Sequence, residues 1–340
     1  MIQRIEPIRQ TLSWQRMLSE SFTRAQDLLD YLHLSAEDIH ASEDAAQQFK
    51  CLVPLSFAKR MEKGNPLDPL LLQMLPVGDE MVRDPSYIKD PVGDLKANPV
   101  PGLLHKYHGR VLLLTNSGCA GNCRYCFRRH FPYQENSVSH HQFQSAVDYI
   151  QRDKSIREVI FSGGEPLLNS DERLASWIQQ LAEINHLSRI RFHSRLPVFL
   201  PERINTSFID AIQTTRLKPI MVIHSNHPAE INSAVQHALV AMHDAGVLVL
   251  NQSVLLKNIN DDAEVLANLS ERLFDAKTHP YYLHTLDQVQ GATHFDLDIQ
   301  RTQSIYKALC DKLPGFLVPK LVTEIAGAGS KTSLNPNFQL

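Results

Sequence analysis

Three cysteines fall within one short stretch, Cys119-Ala-Gly-Asn-Cys123-Arg-Tyr-Cys126. Thiolates are soft ligands, and three of them on one loop reach a common metal centre. On an iron–sulfur cubane, three ligands leave one iron open. A substrate or cofactor can then coordinate that iron and receive an electron from it. The same spacing is compatible with zinc if His130 completes a Cys3His set. The chain has five cysteines, and their clustering does not suit a secreted disulfide framework; in a reducing compartment it reads as metal ligation. Cys51 and Cys310 stand alone and read as small apolar side chains of the interior.

The residues that must position this loop begin at Arg110. Short β-branched runs, RVLLLTN, EVIFSGG, RIRFHSR, PIMVIHSN, VLVLNQSV and PYYLHTL, alternate with helix-like segments such as DERLASWIQQLAEI and DDAEVLANLSERLFDA. That alternation signals βαβ units and a parallel sheet. The six units predict a partial or closed β/α barrel, with Pro228 in a first helical turn and Gly246 at a helix end. In such barrels chemistry sits at the carboxyl ends of the strands. Here those ends carry Cys119, Gly163, Gly164, Glu165, Ser194, Arg195, His224, Asn226, Gln252 and Asp287. Residues 1–100 differ, with helical patterns first and then a connection in which Pro66, Pro69, Pro76, Pro85, Pro91 and Pro99 bar any long helix.

Composition narrows the class. The 340 residues are 43% hydrophobic and 21% charged, which describes an ordinary globular chain. Lys+Arg 34 against Asp+Glu 37 gives a net charge of -3, so nothing argues for nucleic acid as a partner. No apolar run has the length of a membrane span, and the amino terminus MIQRIEPIRQTLSWQRML has no leader-like apolar core, so a cytoplasmic location is expected.

The CxxxCxxC spacing, the aromatic residue between the last two cysteines and the following SGGEPL at Ser162 to Leu167 resemble the radical S-adenosylmethionine (SAM) superfamily. There the open iron binds the methionine moiety, and a Gly-Gly-Glu-Pro strand end contacts its amino group; glycines let backbone carbonyls approach a ligand closely. Further segments, CRYCFRRHF, HSRLP, NQSVLLKNIND, PYYLHTLDQVQGATHF and GAGSKT, resemble the lysine 2,3-aminomutases. With MEKGNPLDPLL and VPGLLHKYHGR, the likeness is greatest to the shorter bacterial enzymes associated with elongation factor P. The resemblance implies a partial (β/α)6-type radical SAM barrel. An N-terminal helical region over 1–100, the barrel over 101–312 and a C-terminal cofactor-lysine segment over 313–340 are expected.

By the same resemblance, Cys119, Cys123 and Cys126 hold a [4Fe–4S] cluster, and Gly163, Gly164, Glu165, His224 and Gln252 lie about SAM. Pyridoxal 5'-phosphate is held on Lys331, within Gly327-Ala328-Gly329-Ser330-Lys331-Thr332, whose small residues can offer backbone N–H groups to a phosphate. Ser333 stands where the family usually has proline. Arg110 and Lys106 are candidates for the cofactor phosphate. Arg128 matches the arginine that holds the substrate carboxylate. Asp287 matches one carboxylate for the side-chain ammonium of L-lysine, and Glu324 the second, usually aspartate. The implied reaction is a 1,2-amino shift giving (R)-β-lysine. An external electron donor is required, and a ligase then uses the product to modify elongation factor P. A homo-oligomer is compatible with the sequence. Two alternatives stand beside this one: a radical SAM enzyme acting on another amino acid or a protein-bound side chain, and a zinc-stabilised binding protein docking through Arg128-Arg129-His130.

Overall fold

The computed structural model describes residues 13–136 and 140–334. Residues 1–12, most of the stretch read for a leader, lie outside the described residues. Nine strands form one sheet in sequential order: β1 (Leu103–Tyr107), β2 (Arg110–Asn116), β3 (Glu158–Gly163), β4 (Arg189–Ser194), β5 (Lys218–His224), β6 (Leu248–Val254), β7 (His279–His284), β8 (Lys320–Thr323) and β9 (Thr332–Ser333). Strands β2 to β8 run parallel, while β1 and β9 are antiparallel additions at the two ends. The helices His140–Arg152, Asp171–Ala182, Thr206–Gln213, Ser233–Asp244, Ala263–Asp275 and Ile299–Lys312 make the crossovers. The six β/α units read from the sequence are all present. Among the described residues β1 and β9 do not pair with each other, so the barrel is partial.

Alternation along each strand divides its side chains between two environments. In β4, Ile190, Phe192 and Ser194 are buried toward the helices, whereas Arg189, Arg191 and His193 point into the barrel. The helices answer with apolar stripes: Asp171–Ala182 buries Leu174, Trp177, Ile178 and Leu181, the spacing of one helical face. Its start is fixed by Ser170, whose side chain accepts from Arg173 N. The Pro228 expectation is corrected. Pro228–Glu230 is a separate 3-10 turn, and the helix begins at Ser233 with Asn232 as its cap, accepting from Val235 N. Gly246 does end that helix, with φ +82°.

The amino-terminal region contains the short helices Trp14–Ser19, Ala25–Leu32, Glu43–Gln48, Leu55–Ala58 and Pro69–Leu72, joined by turns. Its described residues form no separate core. Leu28, Leu32, Phe57, Leu70 and Met74 are fully buried in the same cluster as the barrel's Leu196, Val198 and Phe199. Phe57 meets Phe199 edge-on at 4.9 Å between ring centroids. Full burial of one such side chain is worth about 1.5–3 kcal/mol, so the region is bound to the barrel by its packing. Cys51 lies in this core as expected, and Cys310 is half-buried on the helix Ile299–Lys312. The segment from residue 313 continues the sheet. Strands β8 and β9 form a hairpin whose loop begins at Glu324 and ends at Lys331. Among the described residues no helix is long and apolar enough to cross a membrane.

Candidate active site

The parallel strands enclose a cavity of about 690 Å³ that extends from their carboxyl ends to Arg110, Glu158 and Arg189 at their amino ends. Every site residue expected from the sequence lines it: Cys119, Cys123 and Cys126; Gly163, Gly164 and Glu165; His224 and Gln252; Lys106 and Arg110; Arg128, Asp287, Glu324 and Lys331. Residues far apart in the chain are brought together because each sits on a strand of one sheet or on a loop attached to one.

The cysteine loop follows β2 and is tied on both sides. Toward β3, Gly164 N donates to Asn116 O at 2.8 Å and Glu165 N to Gly118 O at 2.7 Å. A side chain at Gly163 would stand 2.7 Å from Asn116 O, and one at Gly164 would stand 2.2 Å from Gly118 O. Close packing on the cysteine loop therefore also requires the Gly-Gly pair, and Gly163 O accepts from the Tyr133 hydroxyl at 2.8 Å. The Glu165 carboxylate is also committed. It accepts from Ser194 Oγ (2.7 Å), Leu167 N (3.0 Å), Arg195 N (3.1 Å) and Leu196 N (3.2 Å), and burial pushes its carboxyl up to about 7.

Toward the amino-terminal region, Asn122 N donates to Leu52 O at 2.9 Å and Arg124 N to Gln73 O at 2.9 Å. Arg124 is fully buried and grips Glu80 through Nε (2.7 Å) and Nη2 (2.6 Å), and Arg129 shares the same carboxylate. Such two-pronged pairs give geometric definition as well as attraction. The basic run is thus interior: the Arg128 and Arg129 side chains keep 10% and 1% of their exposure, so they form no docking patch. His130 turns away from the cysteines, its Nε2 lying 3.0 Å from Gln290 O beside Arg83 and Lys89. It is not available to complete a Cys3His zinc set. Among the described residues, no three His, Cys, Asp or Glu side chains converge on a single-ion site.

A chain of ion pairs runs from Arg128, two residues after Cys126, to Lys331. Arg128 Nε donates to Asp94 Oδ2 at 2.7 Å; Lys106 Nζ lies 2.8 Å from Asp94 Oδ1 and 2.7 Å from Glu324 Oε1; Lys331 Nζ donates to Glu324 Oε2 at 2.8 Å. The hairpin explains the last contact, because Thr323 pairs with Thr332 and so sets Glu324 against Lys331. Burial pushes the Glu324 carboxyl up, but Lys331 and Lys106 overcome it and hold the group down to about 2. Asp287 differs: burial and then the Glu324 carboxylate raise it to about 7, and it makes no side-chain hydrogen bond or ion pair among the described residues. Burial also drives His193 and His284 well below the usual imidazole range and His224 to about 3, so all three are neutral. His224 and Gln252 face each other at 2.9 Å. Arg110 stacks on Tyr107 at 4.5 Å. Buried nitrogens of lining residues without a partner include His193 Nε2, His284 Nε2, Arg191 Nε and Arg195 Nε. The Gly327 to Ser330 backbone does not reach the cavity; the loop is largely exposed and serves to turn the chain, with Gly327 at φ +83°.

Residues 113–269 match the radical SAM superfamily. The chain is 46% identical over 325 residues to an L-lysine 2,3-aminomutase of Haemophilus influenzae, covering 96% of each, and 46% identical over 323 residues to one of Escherichia coli, covering 95% of this chain and 94% of that protein. It is 32% identical to an L-lysine 2,3-aminomutase of Clostridium subterminale, over 96% of this chain and 78% of that protein. The chain belongs to the lysine 2,3-aminomutase family. Its members are isomerases, and the superfamily implies a [4Fe–4S] cluster and SAM.

For this aminomutase family member, sequence reading missed Asp94, Glu80 and Gln73, which hold Arg128, Arg124 and Arg195 from the amino-terminal region. It also missed the inward-facing Arg191, His193 and His284. The last three had a signal: Arg191 and His193 alternate with the apolar Ile190 and Phe192 in β4, and His284 follows Leu283 in β7, the alternation of a strand with one face toward a barrel interior. Asp94 had none, since it lies in an aperiodic turn.

Proposed function

We propose that this aminomutase converts L-lysine to (R)-β-lysine, with a SAM-cleaving cluster on Cys119, Cys123 and Cys126 and pyridoxal 5'-phosphate on Lys331. The supporting observation is one cavity in which three cysteine thiols, an amine, a forked cation and an unpaired carboxylate all face the same space. When bound, the cluster with SAM supplies an organic radical that takes a hydrogen, and the pyridoxal group supplies a conjugated π-system through which nitrogen can move to the neighbouring carbon.

The donor set fits these groups. Three thiols suit a cubane with one open iron. Near Lys331, the partnerless Arg191 Nε, His193 Nε2 and His284 Nε2, with Arg110 on the same wall and the Tyr282 ring 5.9 Å from Lys331 Nζ, suit an anionic heteroaromatic group. The protein's own part is positioning and exclusion of water. Arg128 commits Nε to Asp94 and reaches Ser162 Oγ through Nη1 at 3.3 Å, a long bond that the α-carboxylate of lysine would displace as the Nη pair grips it. Asp287 receives the side-chain ammonium. Glu324 keeps Lys331 aimed into the cavity and is the second carboxylate near the substrate. His193, His224 and His284 add hydrogen-bonding capacity without adding charge.

The reading extends to a cytoplasmic enzyme that takes electrons from an external donor and supplies β-lysine to the ligase modifying elongation factor P. The test is anaerobic incubation of the reconstituted protein with pyridoxal 5'-phosphate, dithionite, SAM and L-lysine. Formation of 5'-deoxyadenosine and β-lysine is expected. Deoxyadenosine without β-lysine would discard the substrate, and neither product from protein with full iron and sulfide would discard the mechanism.

A further inference from the structure

Arg195 follows β4 and carries a guanidinium buried between the barrel and the amino-terminal region. Nη1 donates to Cys123 Sγ at 2.8 Å and to the Tyr125 hydroxyl at 2.6 Å; Nη2 donates to Gln73 Oε1 at 2.6 Å and to Glu230 Oε2 at 3.2 Å. The Phe199 ring lies 4.7 Å from its central carbon. Four acceptors on two terminal nitrogens hold the planar group in one orientation, which a lysine ammonium cannot reproduce. Its anionic partner is fixed as well, since Glu230 Oε1 accepts from Gln73 Nε2 at 3.1 Å and Asn226 N at 3.0 Å. Among the described residues, Cys123 is the one cysteine of the loop whose sulfur accepts from a charged side chain.

We propose that Arg195, clamped by Gln73 and Glu230, sets the reduction potential of the cluster by donating to the Cys123 sulfur. The inference rests on the reading that Cys119, Cys123 and Cys126 carry the cluster. A hydrogen bond and a positive charge at a ligating sulfur withdraw electron density from the irons and favour the added electron, so the potential rises. Burial strengthens the effect, because little solvent screens it. The cluster then takes its single electron from an external one-electron donor more readily and passes it to the SAM sulfonium with less driving force. Arg195 sets that compromise, and Gln73 gives the amino-terminal region a part in it beyond covering the barrel.

The test is a redox titration followed by electron paramagnetic resonance on the full, anaerobically reconstituted chain, with iron and sulfide measured per protein. Arg195→Gln is expected to lower the midpoint potential most. Arg195→Lys, which keeps the charge and loses the fork, lowers it less, and Gln73→Leu, which only loosens the clamp, lowers it least. Arg195→Gln with full cluster content and the parent potential would overturn the proposal. If that variant holds no cluster, parent potentials in both Arg195→Lys and Gln73→Leu overturn it instead. A parent protein that binds no cluster sinks the cluster reading, and this inference with it, before any potential is read.

Discussion

The two walls of the cavity are built on opposite plans. On the cysteine side each charge has a fixed interior partner: Arg124 and Arg129 share Glu80, and Arg195 meets Glu230. Glu165 there accepts four hydrogen bonds within the protein. On the Lys331 side the charges form a linear chain that ends in an amine, beside an unpaired Asp287 and partnerless nitrogens on Arg191, His193 and His284. A wall whose charges are all paired within the protein is preorganised to hold a group in one place. A wall with uncommitted donors and acceptors is suited to groups that the protein alone does not supply, a cofactor and its substrate.

The strongest test of this contrast removes the amine. Lys331→Ala should abolish β-lysine formation, measured by chromatography, while iron and sulfide content remain those of the parent. Loss of both together would break the division into two walls. On the cysteine side, Glu80→Ala leaves two buried guanidinium groups uncompensated, and the expected loss is about 3–5 kcal/mol in denaturant unfolding. An unfolding midpoint equal to the parent's would show that this wall is not held by its ion pairs. Arg128→Lys keeps the charge and loses the fork, so kcat/KM for lysine should fall by about 1.5–3 kcal/mol, roughly 10- to 150-fold, with cluster content unchanged.

The smallest effect is in pH. Burial and the Glu324 carboxylate raise Asp287 to about 7, so in the free enzyme it is protonated below that pH and ionised above it. Only the ionised form attracts an ammonium. In steady-state assays, kcat/KM for lysine should therefore rise with pH through about 7, by at most about tenfold per unit. Asp287→Asn should flatten this limb; a limb that survives in Asp287→Asn would assign it to another group.

Much of the barrel was legible because strands and helices repeat with different periods. The runs from RVLLLTN to PYYLHTL became β2 to β7 at nearly the residues expected. Strands β8 and β9 were not legible, being only 4 and 2 residues long, too short for alternation to register. The grouping of the three cysteines was legible from spacing, which left zinc open beside a cluster. Lys331 needed the family resemblance, since a lysine near a chain end reads as solvated until a hairpin sets it against Glu324. Gln73, Glu80 and Asp94 were invisible for a different reason: each serves an arginine distant in sequence, and no local pattern encodes such a pairing. The Gly-rich loop misled in the opposite direction, because small residues also serve an exposed turn between two strands.

The most direct measurement is borohydride reduction of the protein loaded with pyridoxal 5'-phosphate, followed by peptide mass mapping. One stable phosphopyridoxyl label is expected, on Lys331, and none in Lys331→Ala. A label on Lys106 with Lys331 unmodified, or no label on protein that has bound the cofactor, would contradict it.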